Sequence, residues 1–271
     1  MLLSLLQQRV LFKEFGFLKE FINEKIAKKV KRNAAMSSAH NINSAARHGR
    51  LLAWPATPAE QKDASRGLLS LHLEDARDGL LYVPSNYRAD SPVPLVLMLH
   101  GAGGSAHVGL APFLPAADMA GLMLLAPSSR EQTWDVIMDN YGEDVRFIDR
   151  ALAHVFKSYA IDTSHLAIGG FSDGASYALS LGLTNGNLFT HVIAFSPGFM
   201  APASRQGMPR IYISHGTQDS VLPIDHCSRR IVRQLQREHY NMHYHEFDGP
   251  HTIPVEIVRE AWEWFSGSEI V

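Results

Sequence analysis

Cysteine is almost absent from this 271-residue chain: Cys227 is the only one. No intrachain disulfide is therefore possible, which fits a reducing compartment and an expected cytoplasmic location. With no activating motif around it, Cys227 reads as a small apolar filler and not as a nucleophile. No apolar run approaches the roughly 18 residues needed to span a bilayer. The net charge is only −2, so no basic field marks the chain for nucleic acid. Internal repeats are lacking as well. What the chain does have is length and apolar content. Hydrophobic residues make up 46% of it, which suits one domain with a substantial core, or one domain plus an appendage.

The small net charge hides an uneven distribution. Residues 1–35 carry eight Lys/Arg and three Glu, a balance of +5, which leaves −7 for the remainder. Within this piece Leu11, Phe15, Leu18, Ile22 and Ile26 recur at helical spacing with lysines between them. Three readings fit. It is a basic amphipathic helix making peripheral membrane contact, a targeting presequence (three Glu count against this), or an upstream extension outside the natural protein. The last follows from Met36-Ser37-Ser38-Ala39, which resembles an initiator followed by small residues. Residues 36–66, rich in Ala, Ser, Asn, Pro and Arg, read as a loose leader, and residues 67–271 as the catalytic domain.

Within that domain, Gly67 to Leu73 and Gly79 to Val83, joined by Glu74-Asp75-Ala76-Arg77-Asp78, predict an antiparallel hairpin with Asp78-Gly79 as the turn signal. Leu95 to Leu99 (LVLML) is apolar without alternation, the signature of a strand covered on both faces. Leu122 to Ala126, His165 to Gly169, His191 to Phe195 and Arg210 to Ser214 repeat it, and Met242 to Phe247 is a more polar candidate. Helical patterns lie between and after these runs: Asp144 to Tyr159, Ala175 to Leu183, Asp225 to Glu238 with Asp225 as its cap, and Pro254 to Phe265. Strands alternating with helices predict an α/β fold with a mainly parallel central sheet and helices on both faces. Its ligand crevice is expected at the carboxyl ends of the strands.

Four segments that end such strands carry chemistry. Gly170-Phe171-Ser172-Asp173-Gly174 is a G-x-S-x-G between a strand and a helix, a turn that holds a serine hydroxyl exposed near a helix N-terminus. His100-Gly101-Ala102-Gly103-Gly104-Ser105 offers backbone N–H groups to an oxyanion. His215-Gly216-Thr217-Gln218-Asp219 presents a carboxylate, and Gly249-Pro250-His251-Thr252 an imidazole. A serine hydroxyl is a poor nucleophile at neutral pH. It needs a base within hydrogen-bond reach, and that base needs a carboxylate to orient it. The order Ser172, Asp219, His251 matches the order of triad members on an α/β-hydrolase sheet.

These pieces resemble the α/β-hydrolase superfamily of serine esterases. The similarity is greatest to compact carboxylesterases and phospholipase-like esterases, including relatives of polyhydroxybutyrate depolymerases and acyl-protein thioesterases. The residues that carry it are LMLHGAGGS (Leu97 to Ser105), GGFSDGASYALSLG (Gly169 to Gly182), HGTQDSVLP (His215 to Pro223) and GPHTIP (Gly249 to Pro254), within residues 67–266. HGTQDSVLP is the most specific, since H-G-x-x-D-x-x-x-P typically carries the triad acid. The resemblance implies an α/β-hydrolase fold and a serine carboxylic-ester hydrolase acting through an acyl-enzyme on a small-molecule ester. It also implies oxyanion-hole N–H groups at Ala102 and Asp173, and no cofactor. Asp173 departs from the smaller or amide residue usual there. A thioesterase or lysophospholipase on the same triad, or a silent ligand-binding fold, are the alternative readings.

Asp225 and Asp248 are rivals to Asp219. Gly103 is a candidate substrate contact. Trp134 follows the Leu122 to Ala126 strand and either lines the acyl pocket or covers the core. His239, His243 and His245 have a tempting spacing, but no acidic or cysteine pattern completes a ligand set, so no metal is expected. Alternation along an edge strand explains them equally well. The stretch from Pro197 to Pro209 is too short for a large cap domain, so an open site is expected.

Overall fold

The computed structural model describes residues 41–55 and 65–267. The basic helix expected within residues 1–35 and the start at Met36 lie outside the described residues, as do parts of the expected leader, residues 36–40 and 56–64. Eight strands form one sheet: β1 (Gly67–Ser70), β2 (Leu80–Val83), β3 (Val93–Leu99), β4 (Met123–Ala126), β5 (Ile161–Phe171), β6 (His191–Phe195), β7 (Arg210–Gly216) and β8 (Met242–Phe247), in the order β1-β2-β4-β3-β5-β6-β7-β8. β2 runs antiparallel to β1 and β4. From β4 through β8 every pairing is parallel.

The apolar runs bury both faces, as parallel strands must. Leu95, Leu97 and Leu99 join one core, while Val96 and Met98 point to the other. On the first face pack α4 (Glu143–Ser158), α5 (Asp173–Thr184) and α6 (Ser228–Arg237), through residues such as Ile148, Leu179 and Ile231. On the second lie α1 (Ala106–Leu110), α2 (Leu114–Ala120) and α7 (Val255–Ser266), through Leu110, Ala117 and Ala261. A short α3 (Asp135–Met138) follows β4. This is the α/β-hydrolase architecture, with Ser172 after β5, Asp219 after β7 and His251 between β8 and α7.

Three expectations need correction. The leader expected to be loose over 36–66 is docked over residues 49–53. Asn185 donates to the Gly49 carbonyl and accepts from the Leu51 N–H, and Asp149 accepts the N–H groups of Leu52 and Ala53. Leu51 and Ala53 are buried in the core; the composition of this stretch hid a few apolar anchors. The expected antiparallel hairpin forms, but its first strand ends at Ser70 and not at Leu73. Residues 71–79 form a longer loop, and the Asp78 carboxylate organises it by accepting the N–H groups of His72 and Leu73. Finally, Asp225 does not cap α6. The helix starts at Ser228, and the exposed Asp225 carboxylate pairs with Arg229, 2.8 Å away.

Candidate active site

Ser172 sits on a turn that only its neighbours allow. Its backbone has φ 57° and ψ −120°, a conformation that costs free energy unless the surroundings impose it. Two glycines do so. A Cβ on Gly174 would lie 2.1 Å from the Leu99 carbonyl oxygen, and one on Gly170 would lie 2.5 Å from the Gly174 carbonyl carbon. Both positions must therefore lack side chains for β5 to pass under α5 against the end of β3. The Ser172 N–H is held by the Phe195 carbonyl of β6.

The structure brings Ser172, His251 and Asp219 together. The Ser172 hydroxyl and His251 Nε2 are 2.9 Å apart, and His251 Nδ1 lies 2.5 Å from Asp219 Oδ2. With Nδ1–H donating to the carboxylate, Nε2 is the lone pair that accepts the serine proton. The Asp219 side chain is fully buried, while His251 keeps a small exposed edge. Burial alone would raise the Asp219 pKa. Hydrogen bonds from the Leu222 N–H, His251 and the Val221 N–H outweigh it and hold the carboxyl below its ordinary range.

His215 supplies a support that sequence reasoning missed. It is fully buried, its Nε2 lies 2.8 Å from the Leu222 carbonyl and 3.1 Å from Asp219 Oδ2, and its Nδ1 lies 2.6 Å from the Ser228 hydroxyl. The fitting assignment is Nε2–H donating towards Leu222 and Asp219, with Nδ1 accepting from Ser228. Burial lowers the His215 pKa, which keeps the ring neutral beside the carboxylate. The H-G-x-x-D motif hinted at His215, but nothing in the sequence pointed to Ser228.

The loop after β3 and the start of α5 are equally organised. Asp173 is the first residue of α5, so its N–H has no partner within the helix. Ala102 takes no part in the backbone bonds that tie its neighbours, Gly103 N–H to the Gln132 carbonyl and Gly104 N–H to the Gly101 carbonyl. His100 shapes the loop: Nδ1 lies 2.7 Å from the Gly101 carbonyl and Nε2 accepts the Ser129 N–H at 2.9 Å. Burial holds its pKa down, in keeping with this neutral tautomer. The Thr133 hydroxyl donates to Asp173 Oδ2 at 2.7 Å, tying the segment after β4 to the residue after the serine.

Of the two candidate substrate contacts, Trp134 is turned into the core. Trp134 has no exposed surface: its indole N–H donates to the His100 carbonyl and its ring stacks on Tyr177 with centroids 5.1 Å apart. It props up the loop after β3 from the core side. Gly103 spends its N–H on Gln132 and does not line the cavity beside His251. Asp248 is likewise no rival to Asp219, since its exposed carboxylate binds Gln218 at 2.7 Å. The segment from Pro197 to Pro209 carries no helix.

An apolar cavity of about 360 Å³ opens beside His251, lined by Val108, Pro112, Phe171, Ile253 and Val258 among others. The Phe171 ring packs against the imidazole with centroids 4.6 Å apart.

The sheet, the elbow and the serine–imidazole–carboxylate chain define an α/β-hydrolase of the serine esterase type. The chain belongs to the phospholipase/carboxylesterase family, which it matches over residues 121–266, a span that holds Ser172, Asp219 and His251. A probable feruloyl esterase C of Aspergillus flavus is 30% identical over 163 residues, covering 57% of this chain and 59% of that protein. Feruloyl esterase D of Neurospora crassa is 28% identical over 156 residues, covering 52% and 53%. The chain thus spans less than two thirds of the length of these curated relatives. Among solved structures, a thermostable esterase superposes with TM-score 0.61 at 20% identity over 74% of this chain and 62% of the other. The Bacillus cereus carboxylesterase gives 0.54 at 20% over 72% and 96%. At these identities the superpositions speak to the fold. No described helix is long and apolar enough to cross a membrane.

Proposed function

We propose that this protein hydrolyses carboxylic esters through a serine acyl-enzyme. The observation that carries the reading is the unbroken hydrogen-bond chain from Ser172 through His251 to Asp219. Ser172 Oγ attacks the ester carbonyl as its proton passes to His251 Nε2. The N–H groups of Ala102 and Asp173 receive the oxyanion, each worth about 3 kcal/mol in the transition state. His251 then gives its proton to the departing alcohol, and a water molecule, activated by the same imidazole, releases the acid. Asp219 fixes the tautomer throughout. No cofactor enters this scheme.

The apolar cavity beside His251 supports an apolar acyl group. Together with the names of the two curated relatives, it favours an aryl-propenoyl acyl group such as a ferulate ester. The single cysteine fits a cytoplasmic setting, which cell fractionation would test.

Ser172→Ala should abolish hydrolysis of p-nitrophenyl acetate while leaving the circular dichroism spectrum unchanged; full activity in that variant would refute the scheme. A panel of methyl ferulate, methyl hexanoate and p-nitrophenyl acetate reads out the acyl preference. No turnover of methyl ferulate would restrict the reading to small aliphatic esters.

A further inference from the structure

We propose that His243, His245 and Glu260 form a binding site for one zinc-class divalent ion. The ion would staple the last strand of the sheet to the last helix. His243 and His245 lie two residues apart on β8 and so project from the same face of this edge strand. α7 packs on that face and brings Glu260, the acidic partner that histidine spacing alone did not reveal. His243 Nε2 lies 2.7 Å from Glu260 Oε1, and His245 Nδ1 lies 2.7 Å from Glu260 Oε2. The three ligand atoms all fall within 4.8 Å of one another.

Those spacings suit coordination. Ligands at about 2.0–2.1 Å around a tetrahedral zinc stand about 3.3 Å apart. Each imidazole-to-carboxylate contact has only to open by about 0.6 Å to admit an ion at the centre. Two imidazoles and one carboxylate are a borderline set that favours zinc, cobalt or nickel over calcium or magnesium, which prefer all-oxygen cages. His243 and His245 are partly exposed, so an ion can enter, and a water molecule can complete the shell.

A second observation points to the same spot. The Tyr212 ring of β7 stacks on His243 with centroids 5.3 Å apart and an interplanar angle of 7°, which fixes the imidazole plane. Its hydroxyl is buried with no hydrogen bond of normal geometry, and it lies near the Glu260 carboxylate. Buried polar atoms are rarely left so. When Glu260 turns towards an ion, the hydroxyl is placed to act as an outer-sphere donor to the ligating carboxylate.

The site lies apart from the ester chemistry and does not depend on it. Its consequence is mechanical, because the segment between β8 and α7 carries His251, and the ion would tie together the two elements that flank it.

Isothermal titration of the full chain with zinc chloride, paired with cobalt(II) absorption in the visible, tests the proposal. One ion per chain with micromolar affinity, a tetrahedral cobalt spectrum and a raised melting temperature are expected. The partly exposed positions make His243→Ala/His245→Ala a variant that should fold. It should lose the saturable site and the cobalt band while keeping its metal-free activity, and Glu260→Gln should weaken binding at least tenfold. Absence of saturable binding at millimolar zinc, or undiminished binding in the double variant, overturns the proposal; the second result would assign the ion to other surface histidines.

Discussion

Replacing Asp219 by Asn isolates what the buried carboxylate contributes. The amide has the same shape, and its oxygen can still accept the Val221 and Leu222 N–H groups that hold Asp219 Oδ1 at 2.9 and 2.8 Å. The fold should therefore survive. At the other position an NH₂ group replaces Oδ2 and faces His251 Nδ1 from 2.5 Å. Two donors cannot share that contact, so the imidazole turns to the other tautomer and points Nε2–H at Ser172, where it cannot accept a proton. The imidazolium that forms during attack also loses its counter-charge. Unit charges 2.5 Å apart at an effective dielectric near ~20 interact by about 7 kcal/mol. A loss of kcat of about 10⁴ is expected, as in the Ser-His-Asp template. The assay is single-turnover and steady-state hydrolysis of p-nitrophenyl acetate, with thermal unfolding as control. If Asp219→Asn keeps more than about a tenth of wild-type kcat, the carboxylate does not orient the base and the proposed mechanism is wrong.

Three further outcomes follow from the same geometry. Thr133→Val removes the hydroxyl that binds Asp173 Oδ2 and should lower kcat about tenfold with little change in KM; an unchanged kcat would make the contact purely structural. Trp134→Phe should cost about 1–2 kcal/mol in urea unfolding, through the lost bond to the His100 carbonyl, and leave acyl-chain preference alone, whereas a shifted preference would return Trp134 to the pocket. Burial and the charge of Asp135 push the Asp144 carboxyl up to about 7. The folded state therefore holds a proton that the unfolded chain, with a carboxyl near ~3.9, releases. The stability this group contributes is greatest below about pH 4 and is lost as the pH rises to about 7. Relative to wild type, Asp144→Asn should gain in melting temperature between about pH 5 and about pH 8; a constant difference would refute that account.

The legible parts of this molecule were those that chemistry confines to neighbouring residues. The Ser172 turn needs two glycines and a strand-to-helix junction within a few positions, so the sequence displays it whole. The buried strands were legible because both faces must be apolar. What stayed hidden depends on partners distant in sequence. Thr133 meets Asp173 across forty positions, and Glu260 reaches His243 from another element. Trp134 was ambiguous for another reason: an indole at a strand end fits a pocket wall and a core prop equally well, and only the direction of the chain decides. Residues 49–53 misled through composition, since two apolar anchors and a few borrowed hydrogen bonds suffice to dock a polar-looking strip.

The glycine contact between α5 and the end of β3 joins two backbones with no side chain between them. The reacting corner is thereby a single stiff casting, whose parts cannot be retuned separately. Diversification towards new acyl groups must then fall to the opposite wall, where Val108, Pro112, Ile253 and Val258 can change size without disturbing the machinery.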